Sequence, residues 1–207
     1  MDEIKDSIRE VERHLLGQLE RRDRLLKDSR DVISSCSRAI VSIHTGRLAE
    51  ARTEITKARR LLMALRRDGS GQLSRYLTPP ETEYVEASSV YALATGRRLP
   101  SRSSLGTSAE AYVLGLLDTV GELKRLVLDS VKDGRIGDAK RYFGHMEMLY
   151  STCSPLAVYD HVLNGGRRKI DVARMLVEDT RGLLTEEVRR EKVIDSMERV
   201  SKKLGRS

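Results

Sequence analysis

Four carboxylates occur in the sequence as two closely spaced pairs. Glu83 and Glu86 are three residues apart, and Asp118 and Glu122 are four apart. Both spacings place the two side chains of a pair on the same face of a helix. Carboxylate oxygens are ligands that Mg²⁺ and Mn²⁺ accept, and such an ion can activate water and stabilise charge at a scissile phosphate. The candidate chemistry is therefore metal-dependent cleavage of a phosphodiester bond.

Each pair lies on an otherwise apolar helix face. Glu83 shares its face with Val90 and Leu93, seven and ten residues further on. Because burying an unpaired carboxylate costs several kcal/mol, a basic partner, a raised pKa or a metal ion must compensate. Gly115 and Gly121 lie beside the second pair, and mid-helix glycines indicate close approach of a backbone or a ligand.

An internal ion-pair network is the alternative interpretation of these acids. Arg125 and Arg174 are candidate partners, and carboxylates at helical spacing usually belong to solvated faces or salt bridges. Periodicity alone favours this interpretation over a metal site.

A basic stretch follows the first predicted helix. Its cations either contact phosphates of a nucleic acid or form a solvated helix face. The candidate RNA-binding residues are Lys57, Arg59, Arg60, Arg66 and Arg67. The net charge of +7 favours a polyanionic partner.

The remaining polar and aromatic candidates are weaker. Tyr84 and Tyr112 flank the acidic pairs and could stack on a base or pack in the core. Cys36 and Cys153 lack metal-ligand spacing and are expected to be buried as small apolar residues. The four histidines show no partner spacing.

The elements that carry these residues all follow helical periodicity, which predicts one all-α domain over residues 1–207. In residues 2–45, apolar residues recur every three, four or seven positions. A helix of that length is on the order of 65 Å long, which indicates an elongated bundle or a subunit-spanning helix. Further helices are predicted over 48–68, 78–95, 107–133, 137–152, 167–182 and 185–204, with a polar loop at 97–106.

Two helix starts carry capping signals. Thr78 is the expected cap of the third helix, with Pro79 in its first position and Glu81 completing a capping box. Residues 107–110 repeat the capping-box pattern at the start of the fourth helix.

No apolar run approaches the roughly 20 residues that span a bilayer, and the charged N-terminus does not resemble a secretory signal. We therefore expect a cytoplasmic protein without a membrane partner.

Two segments carry a resemblance to a known family. They read Glu-Tyr-Val-Glu-Ala at 83–87 and Ala-Tyr-Val-Leu-Gly-Leu-Leu-Asp-Thr-Val-Gly-Glu-Leu at 111–123. Together they resemble the paired signature of translin-associated factor X, in the translin family. Residues 29–33 and 134–139 resemble the same family. The likeness covers nearly the whole chain and is closest to the archaeal single-chain members.

The resemblance implies a translin-like bundle of seven helices assembled into a hollow octamer. It implies that RNA, single-stranded or as a nicked duplex, is bound inside and cleaved by a Mg²⁺-dependent endoribonuclease site, with single-stranded DNA as a further candidate ligand. By this resemblance, Glu83, Glu86, Asp118 and Glu122 are the catalytic and metal-binding acids. One chain would then form a homo-oligomer in which every subunit carries a site.

Two rival functions remain open at this point. One is a nucleic-acid-binding cage without catalysis, like translin itself, and the other is a structural helical scaffold whose acids form ion pairs.

Overall fold

The computed structural model of the protein describes residues 2–69 and 71–204. This part of the chain is predominantly helical and contains no strand, so the all-α prediction is confirmed. Its seven α-helices are α1 Asp2–His44, α2 Leu48–Asp68, α3 Thr78–Ala94, α4 Arg102–Leu105, α5 Ala109–Lys132, α6 Ile136–Cys153 and α7 Gly166–Leu204. Two 3₁₀-helices, Gly71–Leu77 and Ser154–Tyr159, connect α2 to α3 and follow α6.

The long helix α1 is buried only along its second half. From Leu25 onward one face of the helix packs against α2 and α3, and Val32 and Cys36 are fully buried. Its first half places large apolar side chains in solvent: Ile4, Ile8, Val11, Leu15, Leu16 and Leu19. A stripe of this size on a surface helix is typical of an interaction surface.

The turn between α1 and α2 follows from one glycine. Gly46 has a φ of +73°, a conformation that glycine adopts without a steric penalty. Its amide donates to the Ile43 carbonyl at 3.0 Å, and the Arg47 amide donates to the Ser42 carbonyl at 2.8 Å. These bonds satisfy the last carbonyls of α1 and end it there, as predicted.

The predicted capping box at the start of α3 is wrong. The cap position is Leu77, without a side-chain hydrogen bond, so that Thr78 and Pro79 occupy the first two helical positions. The Glu81 carboxylate instead accepts hydrogen bonds from Arg66 Nε and from the Ser108 backbone amide, each at 2.8 Å. Both donors lie outside α3, and the Glu81 carboxylate binds them instead of the backbone at the start of α3.

The start of α5 is capped one residue later than the pattern predicts. Ser108 Oγ accepts a hydrogen bond from the Ala111 amide at 3.2 Å, so Ser108 is the capping residue.

Helix α7 is continuous, whereas the sequence predicts two helices there. Gly182 has no positive φ, so it gives the backbone no helix-ending turn. Leu184 is buried, and the Thr185 hydroxyl donates to the Arg181 carbonyl at 2.8 Å. A single glycine costs only about 1 kcal/mol in a helix, which these contacts offset. The predicted loop at 97–106 also differs, because it contains the short helix α4.

Backbone contacts group the chain into two compact units, Met1–Gly115 and Leu116–Ser207. In the first, α1 packs against α2 and α3, and in the second, α6 packs against α7. The boundary lies inside the continuous helix α5, and the assignment of a single domain stays a prediction. Among the described helices, none combines the length and apolar character needed to cross a membrane.

Candidate metal centre and nucleic-acid interface

The first acidic pair lies on α3, the most deeply buried helix of the first unit. Glu86 is buried, with 8% of its surface exposed, and Glu83 is half-buried. Burial raises the pKa of the Cys36 thiol on α1, and the negative charges of Glu83, Glu86 and Glu54 raise it further. The two predicted acids therefore place their charge beside the buried face of α1, away from bulk solvent.

Gly115 is the point where α5 touches α3. A Cβ on Gly115 would lie 2.6 Å from the Thr82 carbonyl oxygen and 2.6 Å from Val85 Cβ. Glycine is therefore required for this approach, as the sequence predicts. Gly121 differs, because a Cβ there would meet only Leu176 Cδ1 at 3.9 Å, which is an ordinary contact. No neighbouring backbone approaches Gly121 closely, so that half of the expectation is wrong, and close approach of a ligand there stays a prediction.

The second acidic pair lies on α5, one turn apart, and both side chains are half-buried. Lys169, in the first turn of α7, contacts both carboxylate oxygens of Asp118 through its ammonium group. This pair lines a cavity of about 340 Å³ whose wall also includes Arg168, Asn164 and Gly121. The Asp118 carboxylate is therefore paired with the Lys169 ammonium group at the edge of a cavity.

Of the two arginines predicted as partners of the acids, Arg174 pairs instead with Asp171 on its own helix at 3.6 Å. Arg125 is exposed, and its pairing with the acids stays a prediction. The partner that the sequence reasoning missed is Lys169. Its signal was the run Arg167, Arg168 and Lys169 at a helix start, where cations are unfavourable to the helix dipole.

Within the described residues, no three His, Cys, Asp or Glu side chains form a group that could hold a metal ion. Glu83 and Glu86 belong to the first unit, and Asp118 and Glu122 belong to the second. The joint use of all four carboxylates stays a prediction.

The basic residues of α2 divide into two kinds. Lys57, Arg59, Arg60 and Arg67 are exposed, as a nucleic-acid-binding surface requires. Arg66 is half-buried and forms the ion pair with Glu81, and its Nη1 also donates to the Leu105 carbonyl at 3.4 Å. Four of the five predicted residues are thus exposed to a partner, whereas Arg66 joins α2 to α3.

Comparison with known proteins gives a consistent result. No protein-family profile matches the sequence. The chain is 32% identical over 184 residues to the uncharacterized protein MJ0175 of Methanocaldococcus jannaschii. The matched region covers 86% of this chain and 82% of that protein.

Solved structures with a similar fold decide the family. The structure of AfC3PO in complex with duplex RNA matches with a TM-score of 0.83 and 26% identity, over 89% of this chain and 97% of that chain. AfC3PO alone matches with a TM-score of 0.81, 26% identity, and coverage of 89% and 98%. Apo-NeC3PO shares the fold, with a TM-score of 0.76, 20% identity, and coverage of 87% and 96%. C3PO is a complex of translin and translin-associated factor X. The chain belongs to the translin family.

This translin family protein has a groove beside its basic helix that the sequence reasoning missed. The groove lies between α2 and α3 and has a volume of about 630 Å³. Its charged and aromatic lining consists of Arg52, Arg60 and Tyr91, and the other lining residues are three threonines, one alanine and Leu48. The Arg97 guanidinium lies 5.7 Å from the centre of the Tyr91 ring. Tyr91 is half-buried, and cations around an accessible aromatic ring are typical of surfaces that bind unpaired nucleotides. No sequence motif marks these residues, because only the packing of α2 on α3 brings them together.

The tyrosines beside the acids contribute to packing in this translin family protein. Tyr84 is buried, and burial raises the pKa of its phenol. Tyr112 donates its hydroxyl hydrogen to the Pro100 carbonyl at 3.0 Å. Cys36 and Cys153 are both buried, as predicted.

Proposed function

We propose that this protein binds RNA and cleaves its phosphodiester bonds with the help of Mg²⁺ or Mn²⁺, as a homo-oligomer. The observation that carries the proposal is its likeness to RNA-bound AfC3PO over 89% of the chain. The two acidic pairs add the chemistry, because they supply carboxylates, which are ligands that Mg²⁺ and Mn²⁺ accept.

The proposed metal ligands are carboxylates, the ligand type that suits a hard divalent cation. Asp118 already accepts a cation through both of its oxygens, and Glu122 lies one helical turn away. Oxygen ligands of this kind are those that Mg²⁺ and Mn²⁺ take. By the family resemblance, the residues that would hold the ion are Glu83, Glu86, Asp118 and Glu122. When bound, the ion supplies an activated water and offsets charge on the phosphate.

RNA would be held by the exposed cations of α2. Lys57, Arg59, Arg60 and Arg67 supply four positive charges in solvent, and contacts with phosphates give affinity without reading sequence. The groove with Tyr91 provides a ring on which an unpaired base can stack, so we propose single-stranded RNA, or the open strand of a nicked duplex, as the substrate.

Assembly into an octamer is supported by the apolar residues that the single chain leaves in solvent. They include the stripe along the first half of α1. The end of α7 carries a second set, Val193, Ile194, Met197 and Val200. Two such helical stripes per chain give each subunit two surfaces for neighbouring copies.

A second candidate function is RNA binding without cleavage. It is favoured by the Lys169 ammonium at Asp118 and by the absence, within the described residues, of a preformed group of three metal ligands.

Cleavage of a labelled single-stranded RNA in Mg²⁺, Mn²⁺ and EDTA separates the two functions. We expect cleavage in either metal, none in EDTA, and a loss of at least about 100-fold for Asp118→Asn, the size typical of removing a group that stabilises charge in a transition state. Asp171→Asn, an exposed acid on α7, is the matched control and should cleave normally. RNA that is bound but never cleaved by the wild type would establish the binding function instead.

A further inference from the structure

The first half of α1 lies in solvent. Helix α1 has 43 residues and α2 has 21, so α2, which runs back from the turn at Gly46, reaches only the second half of α1. Within the described chain, no residue from Asp2 to Arg21 is buried. Because helices in proteins are stabilised mainly by the packing of an apolar face, this segment requires a neighbour from outside the chain.

The exposed apolar residues continue a row that is buried further along the same helix. Ile4, Ile8, Val11 and Leu15, here called the α1 seam, are spaced by four, three and four residues, and each is more than half exposed. A seven-residue apolar repeat is typical of two helices that wind around each other, so the α1 seam is suited to another helix. The same repeat continues through six buried residues of α1: Leu25, Ser29, Val32, Cys36, Ala39 and Ile43.

The charges along this half of α1 favour an antiparallel second copy as that helix. Residues 2–12 contain five acids and two bases, whereas residues 13–24 contain four bases and two acids. In an antiparallel pair of α1 helices, the acidic end of each copy lies toward the basic segment of the other. A parallel pair would place the two acidic ends side by side, within the distance over which like charges repel at physiological salt.

The repeat also selects a register for the pair. When Ile4 packs against Leu15 of the partner subunit, Ile8 lies against Val11 of the partner subunit, and every layer of the seam is apolar. The two-fold axis makes each of these contacts twice. A shift by one heptad would instead place Ile4 against Arg22 of the partner subunit and bury its charge.

The positions beside the seam carry complementary charges in the same register. Lys5 directly follows Ile4, and Glu12 directly follows Val11, so both lie where paired helices form ion pairs that set partner and orientation. Lys5 of each copy then faces Glu12 of the partner subunit. In the shifted register, Glu12 would face Glu12 of the partner subunit, and the two charges would repel.

We propose that two copies of the chain join through the α1 seam with their α1 helices antiparallel, an inference that rests on the homo-oligomer of the proposed function. The contact buries the seam of both copies and pairs Lys5 with Glu12 twice. The apolar residues at the end of α7 remain available for a different neighbour.

Disulfide cross-linking of the assembled protein tests the orientation. Cys36 and Cys153 are buried, so cysteines introduced on the seam are the ones that react. We expect Ile4→Cys/Leu15→Cys to give a covalent dimer on oxidation and nothing larger, because a two-fold contact closes on itself. Ile4→Cys alone and Leu15→Cys alone should give none, since each residue lies roughly 16 Å along the helix axis from the same residue of the partner subunit.

Three outcomes would overturn the proposal, and they are distinguishable. A covalent dimer from Ile4→Cys alone would show that the helices are parallel. An assembled double variant without a covalent dimer would show that another surface, such as the end of α7 of a neighbouring copy, covers the seam. A wild type that sediments as a monomer would contradict the homo-oligomer of the proposed function, and this contact with it.

Charge reversal tests the register independently. Lys5→Glu replaces both ion pairs with like charges, so we expect half-dissociation of the assembly at about fivefold higher protein concentration in sedimentation velocity, an effect the size of two exposed pairs. Lys5→Glu/Glu12→Lys restores opposite charges and should recover the wild-type value. Arg13→Glu makes the same change in charge on the opposite face of α1 and should have no effect. An equal loss for Arg13→Glu, or no recovery in the double variant, would overturn the register.

Discussion

Among the ion pairs that join helices in this protein, those of Glu81 with Arg66 and of Asp118 with Lys169 differ in almost every physical respect. In the first unit, Glu81 has a side chain only 6% exposed, and both its oxygens are bonded, one by Arg66 and the other by the Ser108 amide. In the second unit, Asp118 has a side chain 27% exposed, and it meets Lys169 at the edge of a cavity.

The difference lies in how rigidly each carboxylate is held. The Glu81 carboxylate is held by a guanidinium and a backbone amide, which are rigid donors, and it joins α2, α3 and the start of α5. The partner of Asp118 is a flexible ammonium that can move. Of these two carboxylates, Asp118 has the more exposed and more flexible partner, so it is the one that we propose for ligand binding.

The largest effect should come from breaking the buried pair. Glu81→Gln keeps the shape of the side chain but leaves the half-buried Arg66 without its counter-charge. We expect a loss of about 3 kcal/mol in the free energy of unfolding, at the low end for a buried pair because Arg66 keeps some solvent contact. Urea unfolding measures this value, and a loss below about 1 kcal/mol would remove the distinction between the two pairs.

The next effect concerns the contact that positions α5 on α3. Gly115→Ala places a methyl group against the Thr82 carbonyl and Val85, so we expect about 2 kcal/mol of destabilisation in thermal or urea unfolding. Gly121→Ala is the matched control on the same helix. It has space, and it should unfold within about 1 kcal/mol of the wild type, in the stabilising direction. Equal losses for the two variants would show that the approach at Gly115 is not tight.

A third prediction compares two arginines of the same helix. Arg60→Gln should weaken RNA binding and lower the slope of log affinity against log salt by about 1, with stability unchanged, because Arg60 is exposed. Arg66→Gln should lower stability instead. Fluorescence anisotropy with labelled RNA at several salt concentrations, together with urea unfolding, checks both; a loss of RNA affinity confined to Arg66→Gln would reverse the assignment.

The smallest effect on stability is expected at the ion pair of Asp118 and Lys169. Asp118→Asn should change the free energy of unfolding by less than about 1 kcal/mol, because half-exposed ion pairs contribute little. Calorimetry in EDTA measures it directly. A loss as large as that of Glu81→Gln would make Asp118 a structural acid.

The sequence predicts the helices well and the partners of charged residues poorly. Apolar periodicity locates α1, α2 and α3 to within a residue or so, because helical spacing is a local property. It divides α7 wrongly at Gly182, because the burial of Leu184 depends on contacts with distant residues.

The same limit applies to the candidate site. The spacing of the two acidic pairs and the close approach at Gly115 can be read from the sequence. That Glu81 binds Arg66 and Asp118 binds Lys169 cannot, since these partners are 15 and 51 residues apart and meet only through tertiary packing. A capping motif at Glu81 was therefore a reasonable local prediction that a tertiary contact overrides.

The central proposal is that Glu83, Glu86, Asp118 and Glu122 are metal ligands, whereas Glu81 is a structural acid. Thermal melting of the wild type and Glu86→Gln, each with and without Mn²⁺, tests it most directly. Without metal, the variant should melt within a few degrees of the wild type, because glutamine keeps the shape and removes one of two neighbouring like charges. Mn²⁺ should raise the melting temperature of the wild type and leave that of the variant unchanged. A variant that melts far below the wild type without metal, with neither protein responding to Mn²⁺, would contradict the claim and make Glu86 a structural acid like Glu81.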